Sequence, residues 1–307
     1  MDKIKGLVSA LFTPLKEDGS INFDVLPQMI DDAIAADITG FYVLGSTGEG
    51  ISLSTDERKA LAESAVNLVE GRVPVMIQVG HNSLAESKRL ARHAQEIGAT
   101  AISANAPSYF KVSNVDVLVD CMAEISRDTQ LPFYYYHIPP LTGAYINMVE
   151  FLQKAPSKIP SLAGIKFSEM DPGKFLQCKN FAGGKYDVLW GCDEQLISAL
   201  AVGAEGAVGS TYGFMPKLYQ EVMKNFNSGK MEEARSLMQL AYEVVEALNR
   251  HAPIHPCMKA VMRMLGYEVG NHRLPQPALS SAQEELLKAD LERLGFFEWS
   301  IRPLVRF

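Results

Sequence analysis

"LAGIKFSEM" (162–170) is the stretch whose reading decides the fold. Leu162 to Phe167 is a short run that is apolar at almost every position, with a single lysine, Lys166, near its centre. Side-chain alternation places Gly164, Lys166 and Ser168 on one face and Ala163, Ile165 and Phe167 on the other. A strand that is apolar at both parities is covered on both faces, the habit of parallel sheets flanked by helices.

Seven further runs of this kind are found. They are "LVSALFTPL" (7–15), "GFYVLG" (40–45), "VPVMIQVG" (73–80) and "ATAISANAP" (99–107), then "LPFYYYHIP" (131–139), "YDVLWGCD" (186–193) and "GAVGST" (206–211). Successive starts lie 20 to 33 residues apart, the length of one strand-helix-loop unit. Between them run amphipathic stretches with readable ends. "STDERKALAESAVNLVEG" opens with Ser54 and, three residues on, Glu57, a capping box, and stops at Gly71; "LAESKRLARHAQEIG" stops at Gly98. Eight such alternations predict a closed (β/α)8 barrel, the TIM-barrel class. The competing doubly wound sheet lacks its GxGxxG fingerprint after the first strand. Beyond about residue 215 only helical patterns remain, at 216–227, 230–250, 255–266 and 279–294. The last should open on a second capping box, Ser281 with Glu284. We therefore expect a barrel over residues 1–222 and a C-terminal helical subdomain over 223–307, packed on it.

Composition narrows the functional classes. Of 307 residues, 47% are apolar, enough for a large core, and 36 acidic against 29 basic side chains give a net charge of −7. This argues for an acidic cytoplasmic protein and against a nucleic-acid surface. No apolar run approaches the roughly 20 residues needed to span a bilayer, and Pro14 interrupts the one apolar segment near the N-terminus, which reads as a first strand rather than a signal peptide. Cys121, Cys178, Cys192 and Cys257 are scattered without a CxxC pair and read as reduced thiols.

A barrel enzyme assembles its site at the C-terminal ends of its strands. Six polar clusters fall at those ends here: "GSTGEG", "NAPSY", "YHIP", "FS", "GCDE" and "GST". Glu169 lies on the opposite parity from Lys166, which therefore has no local counter-ion and only small neighbours on its own face, leaving room for a ligand. The alternative is a structural ion pair with a carboxylate from another strand. An ordinary lysine, with a pKa of about 10.4, is only about 0.04% neutral at pH 7; each unit lost on burial raises that fraction about tenfold. A neutral amine is what imine formation with a ketone requires, so Lys166 is placed to be a nucleophile. In "FYYYHIP" the inward parity gives Tyr134 and Tyr136, and Tyr136, nearer the rim, is the candidate proton shuttle. "GSTGEG" offers backbone N–H groups before a helix, suited to a carboxylate. The histidines offer little. His251 and His255 in "HAPIH" are separated by Pro253 and lack the HExxH glutamate; capping or packing suits them better than metal. His81 and His93 are isolated, and His137 has the outward parity of a core group.

Together "GSTGE", "FYYYHIPPLTG", "GIKFS" and "WGCDEQL…GAVGSTY" resemble the N-acetylneuraminate lyase and dihydrodipicolinate synthase superfamily of pyruvate-dependent class I aldolases, along the whole chain and most closely in its lyase branch. The resemblance implies that Lys166 is the Schiff-base lysine and Tyr136 the proton-shuttling tyrosine. It implies that Ser46 and Thr47 grip the substrate carboxylate, while Ser168, Gly191, Asp193, Glu194 and Ser210 hydrogen-bond the sugar chain. Tyr109 corresponds to a tyrosine that reaches a neighbouring subunit's site, which implies a homotetramer built from dimers. Synthase members carry an arginine where this chain has Leu141, and an apolar side chain cannot hold a second carboxylate bidentately. The implied reaction cleaves sialic acid to N-acetylmannosamine and pyruvate, with neither cofactor nor metal and with no nucleic-acid or membrane partner. Three readings compete: a pyruvate aldolase acting on a 2-keto-3-deoxy sugar acid, a pyridoxal-phosphate enzyme, and a catalytically silent binding protein of the same fold.

Overall fold

The computed structural model describes residues 2–304. All eight expected strands form, and they close in sequence order into one parallel barrel. They are β1 (Gly6–Ala10), β2 (Gly40–Val43), β3 (Val75–Gln78), β4 (Ala101–Asn105), β5 (Phe133–His137), β6 (Leu162–Phe167), β7 (Asp187–Trp190) and β8 (Gly206–Gly209), with β8 pairing back onto β1. Each is shorter than the run that predicted it. The polar residues at the C-terminal end of each run leave the ladder and become rim loops, which is where the candidate clusters need to be.

Helices wrap the barrel: α1 (Leu26–Ala35), α2 (Thr55–Val69), α3 (Leu84–Glu96), α4 (Val115–Ser126), α5 (Pro139–Thr142), α6 (Met148–Lys154), α7 (Pro172–Asn180) and α8 (Leu196–Ala201). The capping box at Ser54 and Glu57 forms in both directions, and Gly98 sits at φ +79° beyond α3, as a left-handed helix stop requires. Four helices follow: α9 (Pro216–Asn227), α10 (Met231–His251), α11 (Ile254–Met264) and α12 (Ser281–Arg293). The second capping box lies one residue earlier than expected, on Ser280 and Gln283 rather than Ser281 and Glu284. Both registers satisfy the spacing rule, and Gln283 closes the box while its side-chain amide also reaches the His251 carbonyl at 2.7 Å. Residue 222 falls inside α9. Among the described residues no helix is long and apolar enough to cross a membrane. All four cysteines are free thiols.

Two apolar clusters reflect the two faces of the sheet. The outer one lies between strands and helices and includes Phe167, Phe175 and Trp190, with Phe167 stacked on Trp190 at 6.3 Å between ring centroids. The inner one fills the barrel with Val8, Tyr42, Met76, Tyr134, Tyr136 and Leu189, among others. At its lower end the Tyr134 hydroxyl donates to Oδ2 of Asp187 (2.9 Å), which also accepts the Ile4 N–H (3.0 Å). Burial holds the Asp187 carboxyl above its usual range.

Strand β6 departs from simple alternation in two respects. Phe133 pairs with Leu162 and Tyr134 with Gly164, so Ala163 is an extra residue in the ladder. The bulge turns Ala163 toward the inner cluster, instead of sharing the outer face with Ile165 and Phe167 as strict parity predicted. Nor does Gly164 leave ligand space beside Lys166. A Cβ there would lie 1.7 Å from the Asp187 carbonyl oxygen, so the missing side chain is what lets β7 approach. Gly164→Ala should therefore destabilise the fold by about 1–3 kcal/mol or more through forced displacement of β7, measurable as a lowered urea midpoint; an unchanged midpoint would contradict this packing.

Candidate active site

Lys166, next to last in β6, lies on the inner face, as its alternation with Gly164 predicts. Its side chain is 5% exposed. Nζ lies 4.0 Å from the ring centroid of Tyr136 on β5 and 4.2 Å from that of Tyr42 on β2, within reach of both π faces. No carboxylate among the described residues comes within ion-pair distance of it, so the structural ion pair considered from the sequence is not what holds this lysine. Tyr42 was missed, although the alternation of "GFYVLG" puts it on the inner parity with Gly40. Its hydroxyl donates to Ser103 Oγ at 3.1 Å. Burial, with Tyr136 adding to it, holds the Tyr42 phenol well above the usual range.

The Tyr136 hydroxyl lies 3.4 Å from Ser46 Oγ, at the long limit of a hydrogen bond. Thr47 Oγ1 lies 2.6 Å from Ser210 Oγ, tying the rim of β2 to that of β8. The turn carrying Ser46 and Thr47 is braced from within: Glu49 N–H donates to the Ser46 carbonyl (3.1 Å), Gly50 N–H to that of Gly45 (3.1 Å), and the Thr13 hydroxyl to that of Gly48. Beside it opens a cavity of about 340 Å³, whose wall includes Ser46, Tyr136, Leu141 and Thr142 together with Gln78, Asn105, His255 and His272. Lys166 touches this cavity's wall through Tyr136.

Glu49 anchors the turn to the C-terminal helices. It is a non-glycine residue in the left-handed region, φ +54°, a conformation that needs support from its surroundings. Its Oε1 accepts from Lys259 Nζ on α11 at 2.6 Å, and Oε2 accepts the Arg273 N–H at 2.9 Å. His272 Nδ1 stands 3.0 Å from Oε2, close enough to pair but poorly aligned for a hydrogen bond. The Glu49 and Lys259 side chains are 4% and 0% exposed. Burial pushes the Glu49 carboxyl up, yet His272 and Lys259 outweigh it and leave the group below its usual range. The His255 ring lies 6.1 Å from that of His272, and burial, reinforced by His272, lowers its pKa to about 4. That His255 faces a cavity was not legible beforehand, because "HAPIH" carries no spacing tied to the rim.

A second polar group stands at the ends of β6, β7 and β8. Asp193 Oδ2 accepts from the Thr211 N–H (2.8 Å) and hydroxyl (2.7 Å). Its Oδ1 faces Gly209, where a Cβ would come within 2.2 Å. Burial, with the charge of Glu194 adding to it, raises the Asp193 carboxyl to about 6, against the opposing pull of Thr211 and Lys166. Burial also raises Glu194. The Ser168 hydroxyl is buried without a partner among the described residues. It sits where a Gly191 Cβ would be, 2.0 Å away, so Gly191 has to be a glycine for Ser168 to point there.

Beneath the cavity Arg58 is fully buried. Its Nη1 donates to the Gly80 carbonyl (3.0 Å), and Nη2 to the Gln78 carbonyl (2.7 Å) and side-chain oxygen (2.8 Å). Burial lowers it to about 10. The remaining candidates lie outside the cavity wall. Tyr109 is 78% exposed beside Phe110 at 82%, their rings edge to face at 5.0 Å. His137 is buried on the outer face against Glu169 (3.0 Å), and His251, last in α10, meets Asp290 at 2.9 Å. Among the described residues no group of three or more His, Cys, Asp or Glu side chains is placed to hold a metal ion.

The chain is similar to proteins of known kind over nearly its whole length. The sequence pattern of the dihydrodipicolinate synthetase family matches residues 3–294. N-acetylneuraminate lyase of Xenopus tropicalis is 40% identical over 299 residues, 94% of this chain and 98% of that one. The lyase of Gallus gallus is 40% identical over 302 residues, 97% of each. The structure of Proteus mirabilis N-acetylneuraminate lyase superposes with a TM-score of 0.93 at 37% identity, covering 96% of this chain and all of that one.

Two outcomes follow from this electrostatics. Lys259→Met takes the lysine cation from buried Glu49, leaving it the Arg273 N–H and His272, and should cost about 3–5 kcal/mol, whereas adding Glu49→Gln, which is neutral and can still accept the Arg273 N–H, should recover part of the loss; denaturant titration of both variants checks the pair. Asp193 has a folded-state pKa above the ordinary carboxylate value, so between about pH 4 and 6 the folded chain binds more protons there than the unfolded one. Its contribution is present below about pH 4 and lost as pH rises to 6. Asp193→Asn can still accept from Thr211, and should flatten the stability profile in that window by about 2–3 kcal/mol; urea midpoints measured across it decide.

Proposed function

The chain belongs to the dihydrodipicolinate synthetase family, and on that premise we propose that it is a class I aldolase that cleaves N-acetylneuraminate reversibly to N-acetylmannosamine and pyruvate. The observation that carries this reading is the Lys166 amine, held by two tyrosine faces with no carboxylate among the described residues at ion-pair distance. A hydroxyl pair, Tyr136 and Ser46, stands beside it.

The steps are those of imine catalysis. The Lys166 amine adds to the C2 keto carbon of the open-chain sugar acid, and loss of water gives an iminium. Ser46 and Thr47, with the N–H groups of their turn, take the substrate carboxylate. Tyr136 accepts the proton of the C4 hydroxyl while passing its own to that carboxylate, as the C3–C4 bond breaks and its electron pair moves to the iminium nitrogen. N-acetylmannosamine leaves, the resulting enamine is protonated at C3, and water releases pyruvate and the free amine. Ser168, Gly191, Asp193, Glu194 and Ser210 bind the hydroxyls of the sugar chain. The Leu141 side chain on the cavity wall offers no charge to a second carboxylate, in keeping with a sugar-acid substrate rather than a dicarboxylate. The exposed Tyr109 and Phe110 suit a contact with a neighbouring copy, and we assign the active form as a homotetramer. Four free thiols suit a reducing cytoplasm.

Borohydride treatment with pyruvate should trap a single adduct, on Lys166, identified by peptide mass spectrometry in a protein without visible absorption; an adduct on another lysine would overturn the assignment. Lys166→Met should abolish turnover while leaving stability within about 1 kcal/mol of the parent or above it, because no buried ion pair is broken.

A further inference from the structure

Arg58 poses a question that the aldol chemistry leaves open. A fully buried guanidinium with no carboxylate partner is costly, and the charge is spent here on three carbonyl oxygens at the end of β3. One of them is the side-chain oxygen of Gln78, which fixes the direction of every hydrogen bond that follows. A guanidinium only donates, so the Gln78 amide must turn its oxygen to Arg58 and its NH₂ the other way. That NH₂ meets Asn105 on the neighbouring strand. The atom receiving it must be the Asn105 oxygen, which turns the Asn105 NH₂ outward, where one hydrogen reaches the Ala106 carbonyl at 2.9 Å. Each NH₂ keeps a second hydrogen with no partner among the described residues, and both residues wall the cavity beside Tyr136 and Ser46. Gly80 packs under the pair so closely that a Cβ would lie 2.5 Å from Asn105 Oδ1; the two amides occupy space that only a glycine at position 80 leaves.

We infer that Arg58, Gln78 and Asn105 form a polarity relay that presents the Gln78 and Asn105 amides to the cavity as hydrogen-bond donors, and that these bind an acceptor oxygen of the substrate, a carboxylate or carbonyl oxygen. Arg58 is the positioning residue; Gln78 and Asn105 are the binding residues. The inference rests on the aldolase reading and adds to it the polarity that the substrate must present on this side. Two sources carry such an oxygen: the keto-acid carboxylate and the acetamido carbonyl of the sugar.

The test uses Gln78→Glu, which keeps the side-chain volume and gives Arg58 a carboxylate partner. The new oxygen cannot donate to Asn105, so the Asn105 amide turns over to donate to it, gives up its bond to the Ala106 carbonyl and presents its oxygen to the cavity. Asn105→Asp reaches the same reversal without disturbing Arg58 and serves if the first variant folds poorly. KM and kcat for cleavage of N-acetylneuraminate are measured, together with those for its analogue bearing a hydroxyl in place of the acetamido group. The pyruvate concentration for half-maximal imine trapping and the melting temperature complete the set. Expected is a rise in KM of about tenfold or more, as lone pairs replace donors, with kcat changed less and the melting temperature unchanged. A rise shared by pyruvate identifies the keto-acid carboxylate as the acceptor; one confined to the acetamido substrate identifies the carbonyl. Unchanged KM values with wild-type trapping overturn the inference alone, as does an altered sedimentation coefficient with unchanged KM, which would give these donors to a neighbouring copy. A wild-type protein that traps no pyruvate sinks the aldolase reading and this inference with it.

Discussion

Closing eight parallel strands into a barrel leaves no sheet edge, and it forces every strand to send half of its side chains into one narrow interior. That space admits little beyond the side chains themselves. Here its lower end is sealed by Tyr134, Asp187 and the backbone of Ile4, and its upper part holds Tyr42, Tyr136 and Lys166. The confinement gives the lysine its character. A long flexible side chain on a surface would sample water; between two rings it has one direction in which to extend. The site is the place where the filling of the barrel stops.

Much of this could be read from the chain because parallel barrels repeat. Eight apolar runs at the spacing of a strand-helix unit gave the architecture, and parity within β5 assigned Tyr134 and Tyr136 to the inside. Parity failed at Ala163, since a bulge is set by how β6 meets its neighbour and not by the pattern of β6 alone. It misjudged Gly164 for the same reason: the space beside it belongs to the Asp187 carbonyl on β7. The second capping box was misplaced by one residue because both frames offer a serine followed by a suitable partner.

The residues that went unseen are those whose role depends on contacts across the fold. Glu49 reads as part of a rim turn, and nothing local ties it to Lys259. Arg58 looks like any arginine of an amphipathic helix until its guanidinium is found under β3. Gln78 and Asn105 close two ordinary strands, and their meaning lies in the direction of a hydrogen-bond chain that begins on α2. His255 was set aside for want of a motif, yet it stands on the cavity wall. Sequence pattern conveys which face a side chain takes; it does not convey which distant group will be waiting there.

The pairing of Glu49 with Lys259 spans 210 positions of the chain, and this has a bearing on biosynthesis. While the polypeptide emerges from the ribosome, all eight strands can be available before α11 exists. During that interval the turn bearing Ser46 and Thr47 lacks the cation that steadies it, although the amine on β6 has already been made. On the proposed mechanism, ligand capture would wait on the last quarter of translation, because Lys166 is made long before the Ser46 and Thr47 turn that would hold the acid is steadied.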